Sequence, residues 1–194
     1  MSNLSAPVRP LLVMTPHRRY WQCDPRRSRV SLPSLQVVVV DGTMRPGAPY
    51  SPAQAELIAE AAAADTVRAV AAARARLTGP ASLFIGTATP QVTPGLLIEA
   101  AALLARFDAV IGPTTGEGWW ALGLRNPLLA DELRAYPDAG SVTLAALRHD
   151  LRVAMLPPLR AVDSAGDAQA VAQLCGPHSR FAATVAGFSG VQAP

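Results

Sequence analysis

Gln36-Val37-Val38-Val39-Val40 is an uninterrupted β-branched run closed by Asp41-Gly42, the pattern of a strand buried on both faces. Ser51-Pro52-Ala53-Gln54 follows, with an N-cap, a proline at the first helical position and a capping-box glutamine. The helix it opens should run to about Leu77, where Gly79-Pro80 stops it. The same order then recurs. Ala81 to Ile85 reads as a second buried strand, Thr93-Pro94 caps a helix through Arg106, and Ala109-Val110-Ile111 reads as a third strand. Trp119 to Leu124 reads as another strand. Ser141 opens a helix to about His149, Arg152 to Leu156 reads as a strand, and Ser164-Ala165-Gly166-Asp167 caps the last clear helix. Strands alternating with helices imply an α/β fold with a mainly parallel, doubly wound sheet and helices on both faces. A chain of 194 residues is long enough to bury a proper core in one such domain.

Residues 1–34 do not follow this pattern. They hold Arg9, Arg18, Arg19, Arg26, Arg27 and Arg29 against the single acid Asp24, with Tyr20 and Trp21 between them. Prolines at 7, 10, 16, 25 and 33 discourage a helix. Leu11-Leu12-Val13-Met14 is compatible with a short buried strand. We therefore divide the chain into an Arg/Pro-rich segment, 1–34, packed on a domain spanning 35–194.

All seventeen basic residues are arginines. A chain without lysine can have no Schiff base, no catalytic lysine and no Walker-type phosphate lysine. No apolar stretch approaches the roughly 20 residues of a membrane span, and Leu11 to Met14 is too short for a signal-peptide core. The expected location is cytoplasmic. Cys23 and Cys175 are far apart and form no metal-spacing motif, so two reduced thiols are expected. His17, His149 and His178 are dispersed, and no serine or cysteine nucleophile can be assembled with a base.

In a sheet of this kind, ligands bind outside the carboxyl ends of the strands. Three strand ends there are rich in small and polar residues: Ile85-Gly86-Thr87-Ala88-Thr89-Pro90, then Ile111 to Trp120, then Leu156 to Ser164. Taken singly, each is compatible with an ordinary turn. Written out in order they are IGTATPQVT, GPTTGEGWWALGL and LPPLRAVDS. Together the three motifs resemble a bacterial family of small glycosyltransferase-A-like proteins, a domain of unknown function with the nucleotide-diphospho-sugar transferase fold. The resemblance runs from about Ser82 to Ala186 and includes the tail Arg180-Phe181-Ala182-Ala183-Thr184-Val185.

The departures from that family bear on function. Its motifs read Ile-Gly-Thr/Ser-Asp, Asp-Gly-Gly and Leu-Arg-Asp-Val-Asp. Here the first acid is Ala88, the second motif is Gly116-Glu117-Gly118, and the third keeps only Asp163, with Ala161 replacing its other aspartate. The family's lysine-bearing phosphate segment is not recognisable. The resemblance implies a nucleotide-sugar- or nucleotide-dependent transferase, a glycosyltransferase or nucleotidyltransferase if active, with weakened metal dependence. It places Asp163 and Arg160 in catalytic roles, with Gly86, Thr87, Pro113, Glu117, Gly118 and Trp119 as substrate-binding positions. We assign no metal ligand, and Mg²⁺ or Mn²⁺ as a cofactor is left open. Arginine can replace part of a metal's charge, because guanidinium is always protonated and binds phosphate bidentately. The alternative is a catalytically silent relative serving as a binding or partner subunit. A nucleotide or nucleotide sugar, a protein partner and a second copy of the chain all stay open as partners. A whole-chain charge of +3 makes nucleic acid a weak candidate. Trp119 and Trp120 should point to opposite faces, one into the core and the other free to stack on a ligand.

Overall fold

The computed structural model describes residues 35–40, 44, 46–77, 79 and 81–189. The readings of the arginine-rich segment, of Cys23 and of Asp41-Gly42 lie outside the described residues. Five strands form one sheet: β1 (Gln36–Val40), β2 (Ser82–Gly86), β3 (Ala109–Pro113), β4 (Trp119–Leu124) and β5 (Val153–Met155). Their spatial order is β1-β2-β4-β3-β5. β1 is parallel to β2 and β3 to β5, whereas β4 lies antiparallel between β2 and β3. Four strands therefore point one way and the central one points back. The reason is the connection. Residues 114–118 join β3 to β4 directly, and a loop that short returns the chain antiparallel to its neighbour, whereas a parallel step needs a longer crossover.

The helices are α1 (Pro52–Ala73), α2 (Pro94–Leu104), the short α3 (Ala130–Leu133), α4 (Ala139–Arg148), α5 (Ala165–Leu174) and α6 (Arg180–Ser189). The capping signals work as written for α1: Gln54 N–H donates to Ser51 Oγ at 3.3 Å, and Gln54 Oε1 accepts from Ser51 N–H at 2.8 Å. α1 ends at Ala73 in a 3₁₀ turn, Arg74–Arg76, so helical structure reaches nearly to Leu77. α2 stops at Leu104, short of Arg106, because the Arg106 and Phe107 N–H groups both turn back onto the Leu103 carbonyl. The expected start at Ser141 requires correction. α4 begins at Ala139, because Asp138 takes the cap: its carboxylate accepts from Ser141 N–H at 2.8 Å and from the Ser141 hydroxyl at 2.7 Å. β5 is shorter than expected by one residue at each end, stopping at Met155 and starting only after Arg152, whose N–H donates to the Asp108 carboxylate at 3.1 Å.

Strand alternation sorts the core into two faces. Val39, Leu83, Ile85, Val110 and Ala121 pack under α1 and α2. Phe84, Ala109, Ile111, Leu122 and Leu124 pack under α3 and α4. A third cluster joins α1 to α5 and α6 through Ile58, Ala62, Val171, Phe181 and Val185. Asp65 ties this outer layer together. It is 4% exposed, and it accepts from the Ser179 hydroxyl at 2.6 Å and from the Arg180 and Phe181 N–H groups at 3.0 Å each. The free N–H groups at the start of α6 are thus capped by a carboxylate from α1.

Trp120 is the residue that enters the core. It is 1% exposed, and its indole N–H donates to the Pro157 carbonyl at 3.0 Å. Its ring lies so close over Gly112 that a Cβ there would sit 2.6 Å from Nε1 and 2.9 Å from Cδ2. Gly112→Ala should therefore cost about 1–3 kcal/mol, the scale of an overpacked core. A urea melt with an unchanged midpoint would contradict this packing.

Candidate functional site

The carboxyl ends of the four co-directional strands and the amino end of β4 meet at one edge of the sheet. Gly86 closes β2 there, with the Trp119 carbonyl 3.7 Å and the Trp120 Cα 3.9 Å from the place a Cβ would take. Thr87 follows, buried, and its N–H donates to the Val40 carbonyl at 3.2 Å. Residues 114–118 form the second loop. Within it Thr114 Oγ1 donates to the Glu117 carbonyl at 2.9 Å, and Gly118 adopts a φ of 116° that only glycine takes readily.

The third loop, between β5 and α5, crosses both of the others. Val162 N–H donates to the Ala88 carbonyl at 2.9 Å, and Gln91 Nε2 donates to the Arg160 carbonyl at 2.7 Å. Leu159 N–H donates to the Pro113 carbonyl at 3.1 Å, and Thr115 N–H donates to the Leu159 carbonyl at 2.8 Å. The three motifs are thus joined by main-chain and side-chain hydrogen bonds into one surface.

Beside it opens a cleft of about 590 Å³, walled by Pro113, Thr114 and 116–118 on one side and by 137–140 on the other. Pro113, Glu117 and Gly118 line it directly, while Trp119 is half-buried nearby and donates its indole N–H to the Tyr136 carbonyl at 3.3 Å. The wall formed by 137–140 went unread in the sequence. The Asp138 cap was its signal, hidden by Ser141, which is an equally acceptable capping residue three positions later. Among the described residues, Glu117 and Asp138 are the two acids lining the cleft, and no arginine lines it.

Arg160 and Asp163 lie on the third loop and are not among the residues lining the cleft. Arg160 turns toward α5, where its Nε donates to Asp167 Oδ1 at 2.8 Å while the side chain stays 48% exposed. Asp167 also accepts from the Ser164 hydroxyl at 2.6 Å, closing the cap of α5. Asp163 is exposed. The fit to a divalent metal is poor. Ala88 and Ala161 stand where the resemblance places acids, and no three His, Cys, Asp or Glu residues cluster among the described residues. Mg²⁺ and Mn²⁺ favour several converging oxygen ligands, so no catalytic step is assigned to a metal here.

Three carboxylates are held below their ordinary range. The Ser141 hydroxyl and N–H lower Asp138, and the Ser164 hydroxyl followed by Arg160 lowers Asp167. On the opposite edge of the sheet the Arg152 guanidinium, with smaller help from Arg125, lowers Asp108 to about 2. Each folded value lies below the unfolded one. The stability they provide is therefore present above the ordinary carboxylate range and lost as pH falls through the folded values. Thermal midpoints should be level near neutrality and fall below about pH 5, and Asp108→Asn should remove part of that fall. A midpoint independent of pH down to 3 would contradict these pairings.

Residues 49–137 match the model of a family described as an uncharacterized protein conserved in bacteria (DUF2064). The match starts before the stretch suggested by the motifs and ends before the third of them. A solved structure of a putative nucleotide-diphospho-sugar transferase from Desulfovibrio desulfuricans G20 covers 81% of this chain and 95% of its own, with a TM-score of 0.63 at 16% identity. Rv0371c from Mycobacterium tuberculosis H37Rv covers 73% of this chain and 98% of its own, with a TM-score of 0.47 at 13% identity. Its complex with manganese covers the same shares, with a TM-score of 0.41 at 17% identity. No curated protein matches. The chain has the nucleotide-diphospho-sugar transferase type of fold and resembles, over residues 49–137, the bacterial DUF2064 family.

Proposed function

We propose that this protein is a nucleotide-sugar- or nucleotide-dependent transferase of the glycosyltransferase-A type with weakened metal dependence. The observation that carries the reading is the joining of three ligand-edge loops beside a cleft of about 590 Å³. A surface so tied is pre-organised, which is what catalysis by positioning requires. In this reading Gly86 and Thr87 let a nucleotide approach the backbone, while Pro113, Glu117, Gly118 and Trp119 receive the second substrate. Arg160 keeps its two terminal nitrogens for the leaving diphosphate while its Nε holds Asp167. Asp163 takes the proton of the attacking hydroxyl. Charge stabilisation by arginine replaces part of what a metal supplies elsewhere.

One observation favours a second reading, a catalytically silent relative that binds a ligand or a partner enzyme. Arg160 is already engaged as part of a helix cap, and among the described residues the acids that remain do not converge. A thermal-shift panel of nucleotides and nucleotide sugars, with and without Mg²⁺ and Mn²⁺, separates the readings from a non-binding protein. Saturating ligand at 100 times its dissociation constant should add about 2.7 kcal/mol of stability. The transferase reading expects a shift with at least one nucleotide sugar and little further gain from metal. Shifts that appear only with Mn²⁺ would overturn the weakened metal dependence.

A further inference from the structure

Two different elements hold the two ends of Arg160. Gln91 Nε2 donates to the Arg160 carbonyl at 2.7 Å, and Arg160 Nε donates to Asp167 Oδ1 at 2.8 Å. A carbonyl can only accept, so the amide nitrogen of Gln91 is the group that faces it. Gln91 itself stands on a firm base. Val92 N–H donates to the Thr89 carbonyl at 3.1 Å and closes a turn through Pro90 and Gln91. Thr89 and Val92 are both buried, and Thr93 caps α2 directly after them. The Gln91 side chain therefore projects from a turn whose two ends are anchored in the fold.

The third loop is kept on the fold by other bonds. On one side of Arg160, Leu159 N–H donates to the Pro113 carbonyl and the Leu159 carbonyl accepts from Thr115 N–H. On the other side, Val162 N–H donates to the Ala88 carbonyl, and Val162 is buried. A side-chain bond placed between these, on the carbonyl of an exposed arginine, adds little to the fold and fixes one residue. We infer that Gln91 is a positioning residue for Arg160, setting where its guanidinium stands at the ligand edge. Gln91 pins the backbone end and Asp167 pins the head. Guanidinium is a rigid planar fork, so a bond at Nε also sets the direction of its two terminal nitrogens. An arginine held at both ends before a ligand arrives loses less freedom on binding than one the ligand must order. The ligand class is a diphosphate. That part of the inference rests on the transferase reading above, whereas the hold on Arg160 does not.

The Arg160 Nε–H resonance of the full-length chain reads the hold without any ligand. Gln91→Met keeps the length of the side chain and its lack of charge, and removes the donor. It should move the Arg160 resonance toward that of a free arginine while Tm stays within about 2 °C of the wild type. Asp167→Asn should move the same resonance in the same direction. Inorganic pyrophosphate, titrated without metal, reads the consequence. Its affinity should fall about tenfold in Gln91→Met, as expected when a charge-assisted phosphate contact is misplaced. An unmoved Arg160 resonance in Gln91→Met would overturn the positioning role. A larger fall in Tm would overturn it as well, because Gln91 would then hold the fold rather than one arginine. Equal pyrophosphate affinity with the resonance moved would overturn the part played in diphosphate binding. A wild type that binds no pyrophosphate, with the resonance still moved by Gln91→Met, would count against the transferase reading and leave the hold on Arg160 standing.

Discussion

Asp65→Ala should be among the most damaging single changes in the described part of the chain, lowering stability by on the order of 3–5 kcal/mol. Its carboxylate accepts the Ser179 hydroxyl and the N–H groups of Arg180 and Phe181, and Ser179 and Phe181 are buried. Alanine leaves three donors without an acceptor, each worth about 1–3 kcal/mol when it cannot reach water. It also removes the ion pair to Arg68 at 3.0 Å, but Arg68 is 53% exposed and that part counts for little. Asp65→Asn keeps one acceptor oxygen and should lose clearly less. In a chain of this length the alanine change corresponds to a fall in Tm of roughly 10 °C. Hydrogen exchange should quicken first in α6, whose start Asp65 caps. A fall in Tm under about 2 °C would mean that water or another acceptor reaches these donors.

Asp163→Asn should leave folding almost untouched and, if the proposed transferase reading holds, lower activity by a factor on the order of 10² or more. The side chain is exposed, so exchanging its carboxylate for an amide removes charge at little cost in packing. In the proposed mechanism that charge accepts the proton of the attacking hydroxyl, and an amide cannot do so. Arg160→Ala carries a second signature. It frees Asp167, so it should weaken the cap of α5 slightly as well as nucleotide binding. If both variants keep wild-type function in the host, the third loop is not where the protein works, and the partner-subunit reading gains.

Strand and helix positions were legible wherever one local signal dominated. The Ser51, Thr93 and Ser164 caps each act within four residues and stand as read. The valine run is a strand, but one at the end of the described sheet in which only Val39 is buried, not a strand buried on both faces. Asp138 was missed because two capping residues compete within four positions. The reversed direction of β4 was legible only through the shortness of 114–118, since alternation marks a strand and not its sense. In the candidate site the three loops were legible as strand ends, but their hydrogen bonds to one another were not. The bond from Gln91 to Arg160 spans 69 positions, and the Asp65 clamp spans 114 or more. Arg160 looked available for phosphate, and Asp167, seven residues on, takes its Nε. The two tryptophans were separable only by packing: Gly112 makes room for Trp120, while Trp119 meets α3 and α4 from the other face.

Amide chemical-shift mapping of the full-length chain, titrated with nucleoside diphosphates and nucleotide sugars in the absence of metal, tests the central claim most directly. Backbone amides sit inside all three loops, so the map reports where a ligand lands whether or not chemistry follows. The transferase account predicts perturbations gathered at Gly86–Thr89, Thr114–Gly118 and Leu159–Ser164, the segments joined at the carboxyl edge of the sheet. Perturbations on another surface, or none with any nucleotide at millimolar concentration, would contradict it.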